Sequence, residues 1–166
     1  MPMIKAFRMD GLGNKFVIVD RRKDFVSISK EKIIHLGSLK SFHRDIGFDQ
    51  IIFIEKAVDK AFPITIFNSD GNEVSACGNG SRCIAYLLGK DLNTETVRLK
   101  TNNRLLDAKI VGDLDVELAM GKPIFEWDKI PLSKKIDHND ITLNIDDKIF
   151  TNGFSLNVGN PHIIFF

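Results

Sequence analysis

Alternating apolar and polar residues along most of the chain predict short β-strands. Ile64–Phe67 and Val97–Lys100 alternate as a strand with one buried face requires. Leu105–Val111 and Leu114–Leu118 are joined through Gly112-Asp113, which predicts a two-residue hairpin turn because glycine tolerates positive φ. The pattern therefore predicts a sheet rich in antiparallel pairs. The remaining strand candidates are Ile4–Met9, Phe16–Val19, Ile51–Ile54, Ile141–Ile145 and Lys148–Val158.

A first helix is predicted after Ser29. Ile33, Leu36 and Leu39 follow at helical spacing and form one apolar stripe. Ser29 is a favourable N-cap residue, because its hydroxyl can accept a hydrogen bond from a free N–H of the first turn. We expect a surface helix that lies on the sheet.

A second helix is predicted from about Gly80 to a stop at Gly89. Cys83–Leu88 is apolar or weakly polar throughout, so this helix has no face suited to solvent. A helix buried on all sides within a strand-rich chain implies strands wrapped around it. We therefore expect an α+β fold in which an antiparallel, barrel-like sheet surrounds a central buried helix.

Composition narrows the class of protein. The chain has 166 residues, with 23 Lys+Arg against 22 Asp+Glu and a formal net charge of +1. This balance excludes a strongly basic nucleic-acid surface as the dominant feature. No apolar run approaches the ~18 residues that span a bilayer, and the first residues lack a signal-peptide pattern. We expect a globular cytoplasmic protein with no nucleic-acid or membrane partner.

A domain boundary is predicted at Gly121-Lys122-Pro123, where the series of strands is interrupted. We expect a first domain over residues 1–120 and a second unit over residues 121–166. The chain ends in His162-Ile163-Ile164-Phe165-Phe166, whereas chain ends are normally polar and exposed. This end has the pattern of a strand that stops in mid-course, so we expect the second unit to be incomplete.

The candidate chemistry is concentrated between Asn68 and Cys83. Cys77 lies between a turn and the start of the buried helix, where the helix dipole favours a thiolate. Free N–H groups at that position would bind a small carboxylate, and Gly78 and Gly80 would let the backbone approach it closely. The alternative is that Cys77 only packs in a tight turn. For Cys83, inside the apolar helix, core packing is expected.

Metal and nucleotide sites are not supported by the sequence. No pair of histidines shows ligand spacing, and the two cysteines have no zinc-finger spacing. The glycines after Cys77 are not followed by the Lys-Ser/Thr of a phosphate-binding loop.

Four blocks of sequence, in their order and spacing, resemble the diaminopimelate epimerase family. The blocks are Asp10-Gly11-Leu12-Gly13-Asn14-Lys15-Phe16, Ile46-Gly47-Phe48-Asp49-Gln50, Phe67–Gly71 with Ala76–Cys83, and Gly159-Asn160-Pro161-His162. The Cys-Gly-Asn-Gly block alone would indicate only the wider superfamily, which includes proline racemase and a phenazine-pathway isomerase.

The resemblance implies an isomerase that interconverts LL- and meso-diaminopimelate by proton transfer between two thiols, without pyridoxal phosphate, metal or nucleotide. This activity belongs to lysine and peptidoglycan precursor biosynthesis. The implied fold has two pseudo-symmetric domains with the small-molecule substrate between them, and the implied assembly is a homodimer. By the same resemblance, Cys77 is a catalytic thiol and His162 lies beside the catalytic cysteines. The substrate-binding residues would be Asn14, Gln50, Asn68, Gly78, Asn79 and Asn160.

Inversion of a carbon atom requires an acid and a base on opposite faces. Cys77 and Cys83 are six residues apart, and if Cys83 lies on the helix that Cys77 opens, both come from one element and cannot flank one carbon. The family's second thiol lies in the second domain beyond residue 166, so we expect this chain to be an inactive fragment when alone. The alternatives are another isomerase of the superfamily, a hydrolase using Cys77 with His162, and a non-catalytic remnant that binds a partner chain.

Overall fold

A computed structural model of the chain describes residues 5–41, 44–45 and 47–166. Ile4 of the first predicted strand and Ile46 of the second sequence block lie outside the described residues. The chain packs as two compact units, Met1–Ala119 and Met120–Phe166. Neither helix in the described part of the chain is long and apolar enough to cross a membrane.

The first unit is built around one long sheet. The elements of this unit are β1 Ala6–Gly11, β2 Asn14–Asp20, α1 Lys30–Gly37, β3 Lys40–Ser41, β4 Arg44–Asp45, β5 Gln50–Ile54, β6 Phe62–Asn68, β7 Glu73–Val74, α2 Gly78–Leu92, β8 Thr96–Lys100, β9 Leu105–Gly112 and β10 Asp115–Leu118. The strands of the sheet follow the order β1-β2-β5-β6-β8-β9-β10, with β7 paired to β6. Most neighbours are antiparallel, as predicted, but β2–β5 and β6–β8 are parallel. Parallel neighbours need a crossover connection, and the helices α1 and α2 lie in the two crossovers.

Helix α2 is the centre of this unit. Ile84, Ala85 and Leu88 have no exposed surface and pack in the main core cluster with Ile52 and Leu99 of the sheet. Strands from both ends of the sheet order, β1 and β10, contact the helix, so the sheet curls around it. The predicted α+β fold with a sheet wrapped around a buried helix is confirmed.

The predicted end of α2 at Gly89 was wrong, whereas its start lies close to the predicted position near Gly80. The helix begins at Gly78 and continues through Gly89 to Leu92, where Asn93 ends it in a left-handed conformation. Gly89 is a packing residue, because a Cβ there would lie 2.5 Å from Cδ1 of Ile110. The helix also has a partly polar side, since Lys90 is exposed.

Helix α1 has the predicted N-cap, but it ends at Gly37, so Leu39 of the predicted stripe lies outside the helix. The Ser29 hydroxyl accepts a hydrogen bond from the Lys32 N–H at 3.3 Å, which satisfies one free donor of the first turn. Ile33 is buried in a second cluster with Ile51 and Phe53, so the helix lies on the face of the sheet opposite α2.

The β9–β10 hairpin is present, but its turn is shifted by one residue from the prediction. Gly112 pairs with Asp115, so the turn consists of Asp113 and Leu114. The left-handed residue is Leu114, with φ of 61°, and not the glycine. Local sequence favoured glycine for the turn, but the cross-strand register of the two strands determines the position.

The second unit contains a three-stranded antiparallel sheet of β11 Ile141–Ile145, β12 Lys148–Asn157 and β13 Pro161–Ile164. These strands match the predicted ones closely. Ile130 and Ile141 are its buried hydrophobic residues, whereas Ile149 and Phe166 are exposed. That the boundary near residue 120 separates two domains of a larger enzyme stays a prediction.

Candidate active site

Three of the predicted substrate-binding residues lie at one edge of the first-unit sheet. The parallel strands β2 and β5 pair Phe16 with Gln50, so Asn14 and Gln50 both stand where their strands begin. Strand β6 runs antiparallel to β5, pairs Asn68 with Gln50 and ends there. The fold therefore brings Asn14, Gln50 and Asn68 to the same edge.

The start of α2 lies close to this edge because Gly80 has no side chain. A Cβ at Gly80 would lie 2.6 Å from Cδ1 of Ile52 and 3.3 Å from Cε1 of Phe16, both fully buried in β5 and β2. A Cβ at Gly11 would lie 2.9 Å from Sγ of Cys83. Gly80 was predicted to let the backbone approach a ligand, but in the structure it allows the helix to contact the sheet.

Cys77 is the N-cap residue of α2 and is half-buried. Its Sγ accepts a hydrogen bond from the Gly80 N–H at 3.4 Å, and its carbonyl oxygen accepts one from the Ser81 N–H at 2.9 Å. Gly78 and Asn79 are the first two helical residues, so their N–H groups have no intrahelical partner. Such groups can donate to an anion, so the sulfur stands beside a potential carboxylate site.

Cys83 is a core residue, as predicted. It is 7% exposed and packs in the main hydrophobic cluster. Burial raises the pKa of the Cys83 thiol, and the charges of Cys77 and Asp10 raise it further. The two cysteines of the chain therefore occupy different environments, and only Cys77 stands at a helix terminus.

Asn14 and Asn79 belong to one chain of side-chain hydrogen bonds. Nδ2 of Asn14 donates to Oδ2 of Asp49 at 3.3 Å, and Oδ1 of Asn14 accepts from Nδ2 of Asn79 at 3.0 Å. Oδ1 of Asn79 accepts from Nη1 of Arg82 at 3.3 Å. Asp49 and Arg82 were not predicted as site residues. The sequence pointed to Asp49 only because it precedes Gln50, and to Arg82 only because it lies in the block Ala76–Cys83.

Gln50 and Asn68 form a second pair. Nε2 of Gln50 donates to Oδ1 of Asn68 at 2.9 Å across the β5–β6 ladder. Oε1 of Gln50 is buried and has no hydrogen-bond partner among the residues that the structure describes. A buried acceptor without a partner is costly, so this oxygen is suited to a donor such as a ligand ammonium group.

The last two predicted residues lie in the second unit. His162 is exposed on β13, and its Nδ1 lies 3.0 Å from the carbonyl oxygen of Asn160. The Asn160 carbonyl also accepts a hydrogen bond from the Val158 N–H at 3.3 Å. Asn160 and His162 are therefore in contact with each other. Their assignment to a substrate site stays a prediction.

Two large clefts occur in the described part of the first unit. One, of about 700 Å³, lies over β8–β10 among charged side chains and contains none of the predicted site residues. The other, of about 570 Å³, lies between β1 and β10 and is lined by Asn79, Arg82 and Cys83. Cys77 lines neither cleft.

Comparison with solved structures defines the fold class. A predicted epimerase from Pseudomonas aeruginosa matches with a TM-score of 0.62 at 15% identity, covering 96% of this chain and 57% of that one. A probable proline racemase from Agrobacterium radiobacter matches with a TM-score of 0.62 at 13% identity, covering 98% and 52%. The fold is therefore that of this class of epimerases and racemases.

Comparison at the level of sequence is more specific. A family model described as diaminopimelate epimerase matches residues 6–126. The diaminopimelate epimerase of Pelagibacter ubique is 45% identical over 166 residues, which cover 98% of this chain and 59% of that protein. The enzyme of Sphingopyxis alaskensis is 38% identical over 159 residues, which cover 96% and 55%.

The chain belongs to the diaminopimelate epimerase family, as its sequence blocks predicted. These relatives favour that family over the other isomerases of the superfamily. The chain spans a little over half the length of the curated relatives it matches.

Proposed function

We propose that this chain supplies the first half of an enzyme that interconverts LL- and meso-diaminopimelate, with Cys77 as one of two proton-transferring thiols. The observation that carries the proposal is the position of Cys77, whose sulfur caps α2 beside the free N–H groups of Gly78 and Asn79. The name of the curated relatives supports the substrate.

In the proposed reaction, the Cys77 thiolate takes the proton from the α-carbon on one face. The C–H bond breaks, an S–H bond forms, and the electron pair is delocalised into the substrate carboxylate. The second thiol, on the opposite face, returns a proton to the carbon. Nothing is oxidised or reduced, and the number of protons on the substrate is unchanged.

The N–H groups of Gly78 and Asn79 are proposed to hold the substrate carboxylate. Negative charge develops there as the proton leaves, so preorganised donors stabilise the transition state more than the ground state. The buried Oε1 of Gln50 is suited to an ammonium group of the substrate. Asn14 and Asn68 would hold other polar groups at the same edge.

Further parts of the proposal rest on the family resemblance. Asn160 would bind substrate from the second unit, and His162 would lie beside the thiols. The reaction would need no pyridoxal phosphate, metal or nucleotide. We also propose that the complete enzyme is a cytoplasmic homodimer.

A chimera tests this function directly. In it, this chain replaces the matching segment of the Pelagibacter ubique relative, which is 45% identical over that segment. We expect the chimera to invert diaminopimelate in D2O with deuterium incorporated at the α-carbon, and we expect Cys77→Ala to abolish both. A hydrolase would instead release a new acid or amine, and a non-catalytic remnant would give neither product.

The 166-residue chain alone is the second arm of the test. Both of its cysteines belong to α2 or its cap, so it cannot place thiols on two faces of one carbon. We expect no measurable conversion. Turnover by the chain alone that is lost in Cys77→Ala would contradict the two-thiol mechanism. Full activity of the Cys77→Ala chimera would contradict the role of Cys77.

A further inference from the structure

Asp49 connects the strand ends that carry the predicted substrate-binding amides. Its backbone N–H donates to the Lys15 carbonyl oxygen at 2.9 Å, and its carbonyl oxygen accepts from the Ser69 N–H at 2.9 Å. Lys15 follows Asn14 and Ser69 follows Asn68, while Asp49 itself precedes Gln50. The backbone of this one residue therefore joins the ends of β2, β5 and β6.

The Asp49 side chain adds two further contacts on the β2 side. Oδ2 accepts a hydrogen bond from the Lys15 N–H at 2.8 Å and another from Nδ2 of Asn14 at 3.3 Å. An ionised carboxylate can only accept hydrogen bonds. It therefore requires the nitrogen of the Asn14 amide, and not its oxygen, to face Asp49.

Arg82 lies at the other end of this chain of hydrogen bonds, next to Asn79. Arg82 can only donate, and its Nη1 lies 3.3 Å from Oδ1 of Asn79. Between Asp49 and Arg82, Nδ2 of Asn79 donates to Oδ1 of Asn14 at 3.0 Å. A pure acceptor at one end and a pure donor at the other leave one consistent orientation for both amides.

We infer that Asp49 is a positioning residue, whose carboxylate sets the amide orientation of Asn14 and, through it, that of Asn79 beside the N-terminus of α2. The importance of this orientation for substrate rests on the proposed function. If either amide turned over, an N–H would face an N–H or an oxygen would face the carboxylate. A substrate would then meet the wrong polar atom at this point of the site.

The side-chain amide resonances of Asn14 and Asn79 in the ¹⁵N-labelled 166-residue chain provide the first test. We expect Asp49→Ala to shift both amide pairs toward free-amide positions and to lower their heteronuclear NOE values. Asp49→Asn keeps an acceptor oxygen without the charge, so its spectrum should lie between the two. Backbone resonances of the core strands show whether each variant is folded.

Asp70 provides a matched control. Its carboxylate accepts from the Asn72 N–H at 2.8 Å and from Nδ2 of Asn72 at 3.0 Å, the same two kinds of donor that Asp49 binds. Asp70→Ala should leave the Asn14 and Asn79 amides unchanged. Unchanged Asn14 and Asn79 resonances in both Asp49 variants, or equal shifts in Asp70→Ala, would overturn the inference.

Kinetics of the chimera connect positioning to function. We expect Asp49→Ala to lower kcat/KM by roughly tenfold to a hundredfold, mainly through KM, because misplaced binding groups weaken ground state and transition state alike. Asp49→Asn should recover part of this loss. If the parent chimera is inactive, the proposed function fails, whereas the amide spectra still decide whether Asp49 orients Asn14. Shifted amides with unchanged kinetics in an active chimera would overturn the role of Asp49 in substrate positioning.

Discussion

The sulfur of Cys77 accepts a hydrogen bond from the backbone N–H of Gly80 at 3.4 Å, three residues further along the chain. The same sulfur therefore caps helix α2 and carries the candidate chemistry. Cys83, six residues further along the same helix, is buried in the core. This contrast between two thiols on one element leads to the first prediction.

Cys77 should react with iodoacetamide near pH 7 at least about tenfold faster than Cys83. Cys77 is half-buried at the start of α2 and its sulfur accepts a backbone hydrogen bond, whereas burial raises the pKa of Cys83 and limits access of the reagent. Timed alkylation of the folded chain followed by peptide mass spectrometry measures both rates. Equal rates, or faster labelling of Cys83, would contradict the assignment of Cys77.

Gly80→Ala should destabilise the chain by about 1–3 kcal/mol, because the added Cβ would lie 2.6 Å from Cδ1 of Ile52 in a filled core. The gain in helix propensity offsets only part of this cost. Gly112→Ala is the control, since its Cβ would make an ordinary contact of 3.5 Å with Asp115. Urea unfolding compares the two variants, and equal stabilities would show that α2 can shift away from the sheet.

Asp20 should stabilise the fold above about pH 4 and lose this effect as the pH falls. Arg22 binds both oxygens of Asp20, at 2.9 and 2.7 Å, and lowers the pKa of that carboxyl. The pKa of Asp20 is lower in the folded chain than in the unfolded chain. The stabilisation is therefore complete above the unfolded pKa and is lost as the pH falls through the folded pKa. Asp20→Asn should cost about 1.5 kcal/mol at pH 7 and make acid unfolding less steep.

The control for Asp20 is Asp107→Asn. Asp107 also binds an arginine, Arg98, but both side chains are at least half exposed, so no measurable change is expected. Denaturant unfolding between pH 2 and 7 makes the comparison. A loss in Asp107→Asn equal to that in Asp20→Asn would show that burial of the pair does not matter.

Leu114→Gly should stabilise the β9–β10 hairpin by about 0.5–1 kcal/mol. Leu114 has φ of 61° and is 75% exposed, so the substitution relieves backbone strain and removes little buried surface. Leu105→Gly is the matched control, because Leu105 is also an exposed leucine but lies in a regular strand. Glycine weakens a strand, so this variant should be less stable than the parent. A lower melting temperature for Leu114→Gly than for the parent would disprove the strain argument.

The features that sequence predicted well are those set by neighbouring residues. The Ser29 cap, the Ile33 stripe and the strand alternation all depend on spacings of a few positions. The start of α2 was predicted only approximately, because Gly78 and Gly80 have the sequence character of a loop. In the fold, Gly80 packs against Phe16 and Ile52, and this contact favours the helix over a loop. Phe16 and Ile52 are distant in sequence, so the local pattern around Gly80 could not predict the contact.

The polar contacts of the candidate site were beyond local prediction for a related reason. The family resemblance named Asn14, Gln50 and Asn68, but not the hydrogen bonds that orient them. Asp49 meets Asn14 from 35 positions away, and Asn79 meets it from 65 positions away. The two parallel strand pairs were missed in the same way, because alternation shows which face is buried but not which strand is the neighbour.

The joint between β6 and β8 has a consequence for how the first unit opens. The two strands are paired there only through Phe62–Leu99 and Pro63–Lys100. The strands before α2 and those after it thus form two parts of the sheet, which are joined by the short β6–β8 pairing. We call this pairing the β6–β8 seam. Apolar side chains of α2 pack in one core cluster with residues from both sets of strands, including Ile66 of β6 and Leu99 of β8. Local opening of the unit should therefore begin at the β6–β8 seam, with each part of the sheet retaining its own hydrogen-bonded ladder.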